Sequence, residues 1–177
     1  KNQEELDEKI ADLKNVIVNN NLTWIVNQRY VQMVEKASEE TWAFAPELTY
    51  AIQPDSEIFK GIVENLAKGH RYKIFMPDRP RVHKIVSDYK RLHKFEEGQV
   101  EFILLPHSDF MFHTVIVVYG VYSDEPKAIE WLPVREMDIW VQMDDEHCNR
   151  MIGIGEMLVK KHMPHIKMAP QAPLVKG

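Results

Sequence analysis

"FKGIVENLAKGHRYKIFMP", residues 59–77, changes its period half-way along. Up to Leu66 the apolar residues recur at helical steps. Ile58, Ile62, Val63 and Leu66 make one stripe, and Asp55 or Ser56 ahead of it suits an N-cap. Gly69 then ends the helix, since a residue without Cβ enters the left-handed closing conformation at little cost. From Arg71 onward, "RYKIFMP" is a short apolar run bounded by Gly and Pro, the pattern of a buried strand. The neighbouring segments extend this helix–glycine–strand unit. Upstream, "TWAFAP" (41–46) reads as another strand, ended by Pro46. Downstream, Pro80 can open a helix with Val82, Ile85, Val86, Tyr89 and Leu92 on its inner face. "QVEFILLP" (99–106), "HTVIVVYG" (113–120), "KAIEWLP" and "DIWVQM" are further strands. The stretches 71–76 and 99–105 are apolar on both faces, as a helix-covered sheet requires. The expected fold is α/β, a mixed and mostly parallel sheet flanked by helices.

The ends of the chain read differently. "EELDEKIADLKNVIVNN" places Leu6, Ile10, Leu13 and Ile17 at a and d spacing, so residues 1–21 are expected to form an amphipathic helix that serves as a dimer seam or a linker. "NQRYVQMVEKASEE" gives a second helix, with Tyr30, Val31 and Val34 on one side. "DDEHCNRMIGIGEMLVKKH" gives the last one, acidic at its start and basic at its end. Residues 22–162 then form the α/β domain, and 163–177, with three prolines, a flexible tail.

With 45% apolar and 28% charged residues, the composition is that of a globular protein. No apolar run approaches the roughly 20 residues that span a bilayer, so no membrane insertion is expected. The single cysteine, Cys148, excludes an internal disulfide and points to a reducing, cytoplasmic setting. The chain begins at Lys1 rather than Met, and a preceding segment is expected. Net charge is −5, which disfavours general nucleic-acid binding. Yet between Lys68 and Lys94 nine lysines and arginines stand against only Asp78 and Asp88.

Two passages carry a family resemblance. "FKGIVENLAKGHRYKIFMP" resembles the helix–glycine–strand passage of the phospholipase D-like superfamily. "QVEFILLPHSDFMFHTVIVVYG" resembles its following strand pair, the second of which bears the HxKxxxxD signature. The resemblance spans roughly residues 30–135 and implies one half of a two-half unit, hence a homodimer. The signature falls on His113, Val115 and Gly120, so only its histidine is present. Phosphoryl transfer depends on charge and position, and loss of a clamping cation removes several kcal/mol of transition-state stabilisation. The resemblance therefore implies a degenerate site in which His113 is a remnant.

Other constellations are simpler to weigh. "PDRPRVHK" (77–84) follows the C-terminal end of an expected strand, where open α/β sheets bind ligands. Arg79, Arg81, His83 and Lys84 there, at a helix N-terminus, suit an anionic small molecule or nucleotide. His107, Asp109 and His113 are metal-ligating types, but their spacing fits no closed site, and no metal or cofactor is expected. Phe110 and Phe112 belong either to the core or to a stacking floor. Three readings follow in order of preference. The first is a non-catalytic regulatory or sensor module that self-associates and binds an anionic ligand or partner. The second is a divergent phosphodiesterase or nuclease using His113 in a dimeric site. The third is a nucleic-acid-binding module working through residues 68–94.

Overall fold

In the computed structural model, residues 25–134 and 137–163 are described, and they build one seven-stranded sheet with helices on both faces. The heptad stripe of 1–21 and nearly all of the proline-rich end fall outside the described residues. In chain order the elements are β1 (Ile25–Val26), α1 (Gln28–Lys36), β2 (Glu40–Phe44), a single 3-10 turn (Tyr50–Ile52), α2 (Glu57–Ala67), β3 (Arg71–Pro77), α3 (Pro80–Leu92), β4 (Val100–Leu105), β5 (Val115–Tyr119), β6 (Lys127–Val134), β7 (Met137–Gln142) and α4 (Asp145–His162).

The strands lie in the order β1-β7-β6-β5-β2-β3-β4. The expectation of a mostly parallel sheet is corrected here. Only β2–β3 and β3–β4 pair in parallel, and the other four pairings are antiparallel. The reason lies in the connections. A parallel pair needs a crossover of roughly a dozen residues or more, which α2 and α3 supply. No helix intervenes between β5, β6 and β7, so short turns fold them back on one another. β2 sits at the junction, parallel to β3 and antiparallel to β5.

Local chemistry sets the boundaries. The Ser56 hydroxyl accepts from Phe59 N at 3.0 Å and starts α2. Gly69, at φ 85°, follows the end of that helix. Asp144 accepts from His147 N at 2.8 Å and starts α4. Pro80 opens α3, preceded by Arg79 as an N-cap without a side-chain bond. The stripe expected on α2 is narrower than its spacing suggested: Ile62 and Leu66 are buried, whereas Val63 is exposed.

Alternation along β2 divides the core. Trp42 and Phe44 point to one face and pack with Phe75, Ile103, Val118 and, from α4, Cys148, Met151, Leu158 and Val159. Thr41 and Ala43 point to the opposite face, which α1, α2 and α3 cover. Phe110 and Phe112 join the α4 side, Phe112 with its ring 4.9 Å from Phe44, so they are core residues and no stacking floor. Among the described residues, no helix is long and apolar enough to cross a membrane.

Candidate ligand cavity

The helical layer over Thr41 and Ala43 is incomplete. α1 lies toward β5–β7 and α2 toward β3, and between them a cavity of about 520 Å³ stays open. Strand register explains its floor. Thr41 stands between Tyr72 and Tyr119, and Ala43 between Ile74 and Val117. A third row runs through Val115, Trp131, Trp140 and Val26. Every one of these residues lines the cavity. The space exists because the central strand offers two small side chains on this face and two large ones on the other. The walls are Val31, Gln32 and Glu35 from α1, Ile58 and Ile62 from α2, and the segment Glu47–Ala51. That segment is tied down where His93 bonds the Ala51 carbonyl through Nε2 at 2.7 Å. The His93 ring also stacks on Tyr89 and Phe59.

One polar cluster interrupts this apolar lining. The Tyr72 hydroxyl donates to Glu35 Oε1 at 3.1 Å and accepts from Asn65 Nδ2 at 3.1 Å. Glu35 lies deep among protein atoms yet keeps partial exposure, which the cavity provides. Burial raises its carboxyl from 4.5 to about 7, against the opposing hydrogen bonds of Tyr72 and Asn65 and the charge of Lys36. Burial likewise raises the Tyr72, Tyr89 and Tyr119 phenols, and the Glu35 charge adds to each shift. Tyr89 is fully buried, lines the cavity, and its hydroxyl has no hydrogen-bond partner among the described residues. An apolar cavity of this size with a few convergent polar groups and a shifted carboxyl is the usual form of a small-molecule site.

No family model and no curated protein matches this chain. A solved structure that does resemble it is TrmBL2, described as an archaeal chromatin protein with a novel mode of DNA binding. The identity is 14% and the TM-score 0.44, over 88% of this chain and 59% of that one. This chain therefore spans less than two thirds of that protein's length.

The residues singled out in the sequence lie elsewhere. His113 is exposed on a bend before β5, where it makes no hydrogen bond among the described residues. Val115 begins β5. Gly120 takes φ 63°, where a Cβ would meet Ser123 Oγ at 2.6 Å, so a side chain at position 120 strains the backbone and displaces Ser123. Arg79, Arg81, His83 and Lys84 are exposed around the start of α3, and none lines the cavity. His83 bonds Asp78 at 2.7 Å, and Arg79 approaches His107 Nδ1 at 3.4 Å. Arg81 reaches the cavity rim indirectly, by pairing with Glu47 at 3.2 Å. Asp109 pairs with Lys161 and His162 of α4. Among the described residues no group of three or more metal-ligating side chains occurs. Burial pushes the Cys148 thiol up to about 11, which leaves it unreactive.

Glu35, Tyr72 and Tyr89 were missed by the sequence reading. A signal existed in Thr41-Trp42-Ala43-Phe44, where small and large side chains alternate on a central strand. It marks the face on which space is left. Nothing local to Glu35 in "MVEKA" distinguishes it from a solvated helix carboxylate.

The carboxyl has a measurable consequence. Its value in the unfolded chain is close to 4.5 and in the folded chain about 7. Between these values the folded state holds a proton that the unfolded state releases, so stability falls as pH rises through the window. Glu35→Gln removes that loss. We expect the variant to exceed the wild type in stability at pH 8 by on the order of 2 kcal/mol, and to match it near pH 4. Urea unfolding at the two pH values reads this directly. Parallel pH profiles for the two proteins would contradict it.

Proposed function

We propose that this chain is a ligand-binding regulatory module whose effector occupies the cavity between α1 and α2. The observation that carries the reading is the apolar space around the Glu35–Tyr72 pair, which leaves Glu35 partly exposed within the helical layer. A packed core leaves few such voids. The cavity lining also comes from four separate helical elements, α1, the 3-10 turn, α2 and α3. An occupant that bridges them changes how they are held together, which is the requirement for a sensor.

The other readings find less support. Catalysis by His113 lacks a neighbouring base, acid or cation bonded to it among the described residues. In the basic stretch 68–94, Arg71 and Lys73 are held by Glu40, Arg81 by Glu47 and Arg91 by Asp88. Those cations are partly neutralised before any phosphate arrives, which reduces the counterion release that drives nucleic-acid binding.

The test compares the wild type with a filled cavity. Val115 stands half-buried on the floor, and Val115→Trp places an indole in the space. A library of small metabolite-like compounds is screened by thermal shift against both proteins. A ligand at a hundredfold its Kd stabilises by about 2.7 kcal/mol, roughly 5–10 °C for a chain of this size. Compounds that raise the wild-type melting temperature should leave that of Val115→Trp unchanged. Equal stabilisation of both proteins, or no stabilising compound at all, would refute the proposal.

A further inference from the structure

The charges around the cavity identify a ligand class. Among the described residues its lining holds three carboxylates, Glu35, Glu47 and Glu57, and no lysine, arginine or histidine. Two of the three are already engaged, Glu47 by Arg81 at 3.2 Å and Glu57 by Lys60 at 2.7 Å. Glu35 forms no ion pair among the described residues; its hydrogen-bond partners are the neutral side chains of Tyr72 and Asn65. Tyr72, whose hydroxyl bonds Glu35, lies on the same lining. An ammonium group brings several N–H donors and no acceptor, which suits a carboxylate beside a phenol oxygen. A carboxylate or phosphate in the same place would face the Glu35 charge with no cation among the described lining residues to pair with.

Aromatic rings make up the other side. Trp131 stands edge-on to Tyr50 at 5.6 Å between centroids, and Trp140 lies 6.2 Å from Trp131. All three line the cavity. Such faces attract a cation through their quadrupoles and pack an apolar body as well.

We infer that the cavity takes a small organic amine in its ammonium form, with its apolar body on Tyr50, Trp131 and Trp140 and its head on Glu35. This rests on the cavity being a ligand site. It also separates that site from the exposed basic residues at the start of α3, which suit an anion.

The experiment is isothermal titration of the wild type and of Glu35→Gln with three matched probes: 2-phenylethylammonium, 2-phenylethanol and 3-phenylpropanoate. In the wild type the amine should bind about tenfold or more tighter than the alcohol, the scale of a charge-assisted bond in place of a neutral one. The carboxylate should bind weakest. In Glu35→Gln the preference for the amine over the alcohol should shrink to about threefold or less. A melting curve confirms that the variant is folded. Equal or tighter binding of the alcohol or the carboxylate overturns the inference, as does an amine preference that survives in Glu35→Gln. Absence of amine binding while other library compounds stabilise the wild type and not Val115→Trp also overturns it, and leaves the ligand-site reading standing. Absence of any binder overturns both.

Discussion

Glu40→Leu lowers the unfolding free energy by about 3–5 kcal/mol, the cost of removing one partner from a buried charge network. Glu40 opens the central strand with its side chain only 4% exposed. Its Oε1 accepts from Trp42 Nε1 at 2.7 Å and from Lys73 Nζ at 2.8 Å, and its Oε2 pairs with Arg71 at 3.1 Å. Leucine in its place leaves a buried indole N–H without an acceptor. It also leaves Lys73, itself mostly buried, with Glu101 alone at 3.4 Å. Glu40→Gln keeps an acceptor for Trp42 and loses the charge, so it should fall between the two. Urea denaturation measures the series. A loss below about 1 kcal/mol for the leucine variant would mean that the network behaves as a surface pair.

Gly155→Leu should cost about 3 kcal/mol, the upper part of the usual range for overpacking. α4 crosses the sheet at Gly155, where a Cβ would stand 2.4 Å from Trp42 Cε3 and Cζ3 and 3.2 Å from Phe44 Cζ. Trp42 cannot retreat, since it is fully buried among Phe75, Val118 and the helix itself. The helix must therefore lift off the sheet. Gly153, two residues earlier, has nothing within 4 Å of an added Cβ. Gly153→Leu should raise stability by a few tenths of a kcal/mol to about 1, because glycine is a poor helix former. Thermal unfolding of the two variants should give shifts of opposite sign. Shifts of the same sign would show that Gly155 is not a point of close contact.

Much of the architecture was legible in the sequence. The strand expected at 71–77 spans Arg71–Pro77 in the structure, and the helix expected from Pro80 spans Pro80–Leu92. The caps at Ser56 and Asp144 and the stop at Gly69 follow from residue chemistry that acts within a few positions. Strand direction was not legible for β5–β7. It depends on which strands become neighbours, and alternating helices in the first half of the chain suggested a rule that the second half does not follow. β1 escaped notice because Ile25–Val26 carries no period of its own and is a strand only by pairing with Trp140 and Val141. The cavity was the least legible part. Its lining comes from every strand but β4, from three helices and from the 3-10 turn, and the deciding side chains, Glu35 and Tyr72, look like an ordinary surface acid and an ordinary strand aromatic. The basic residues that stood out at 79–84 do so because charge is visible in a sequence, whereas enclosed space is not.

The central claim is that an effector enters the space between α1 and α2. The most direct check follows the tryptophan indole N–H signals by two-dimensional NMR while adding the library compound that raises the melting temperature most. The account predicts that the Trp131 and Trp140 indoles shift while that of Trp42, held by Glu40 on the other face of the sheet, stays in place. Shifts confined to the backbone amides of residues 77–84, with Trp131 and Trp140 unmoved, would contradict it and place the ligand at the basic start of α3 instead.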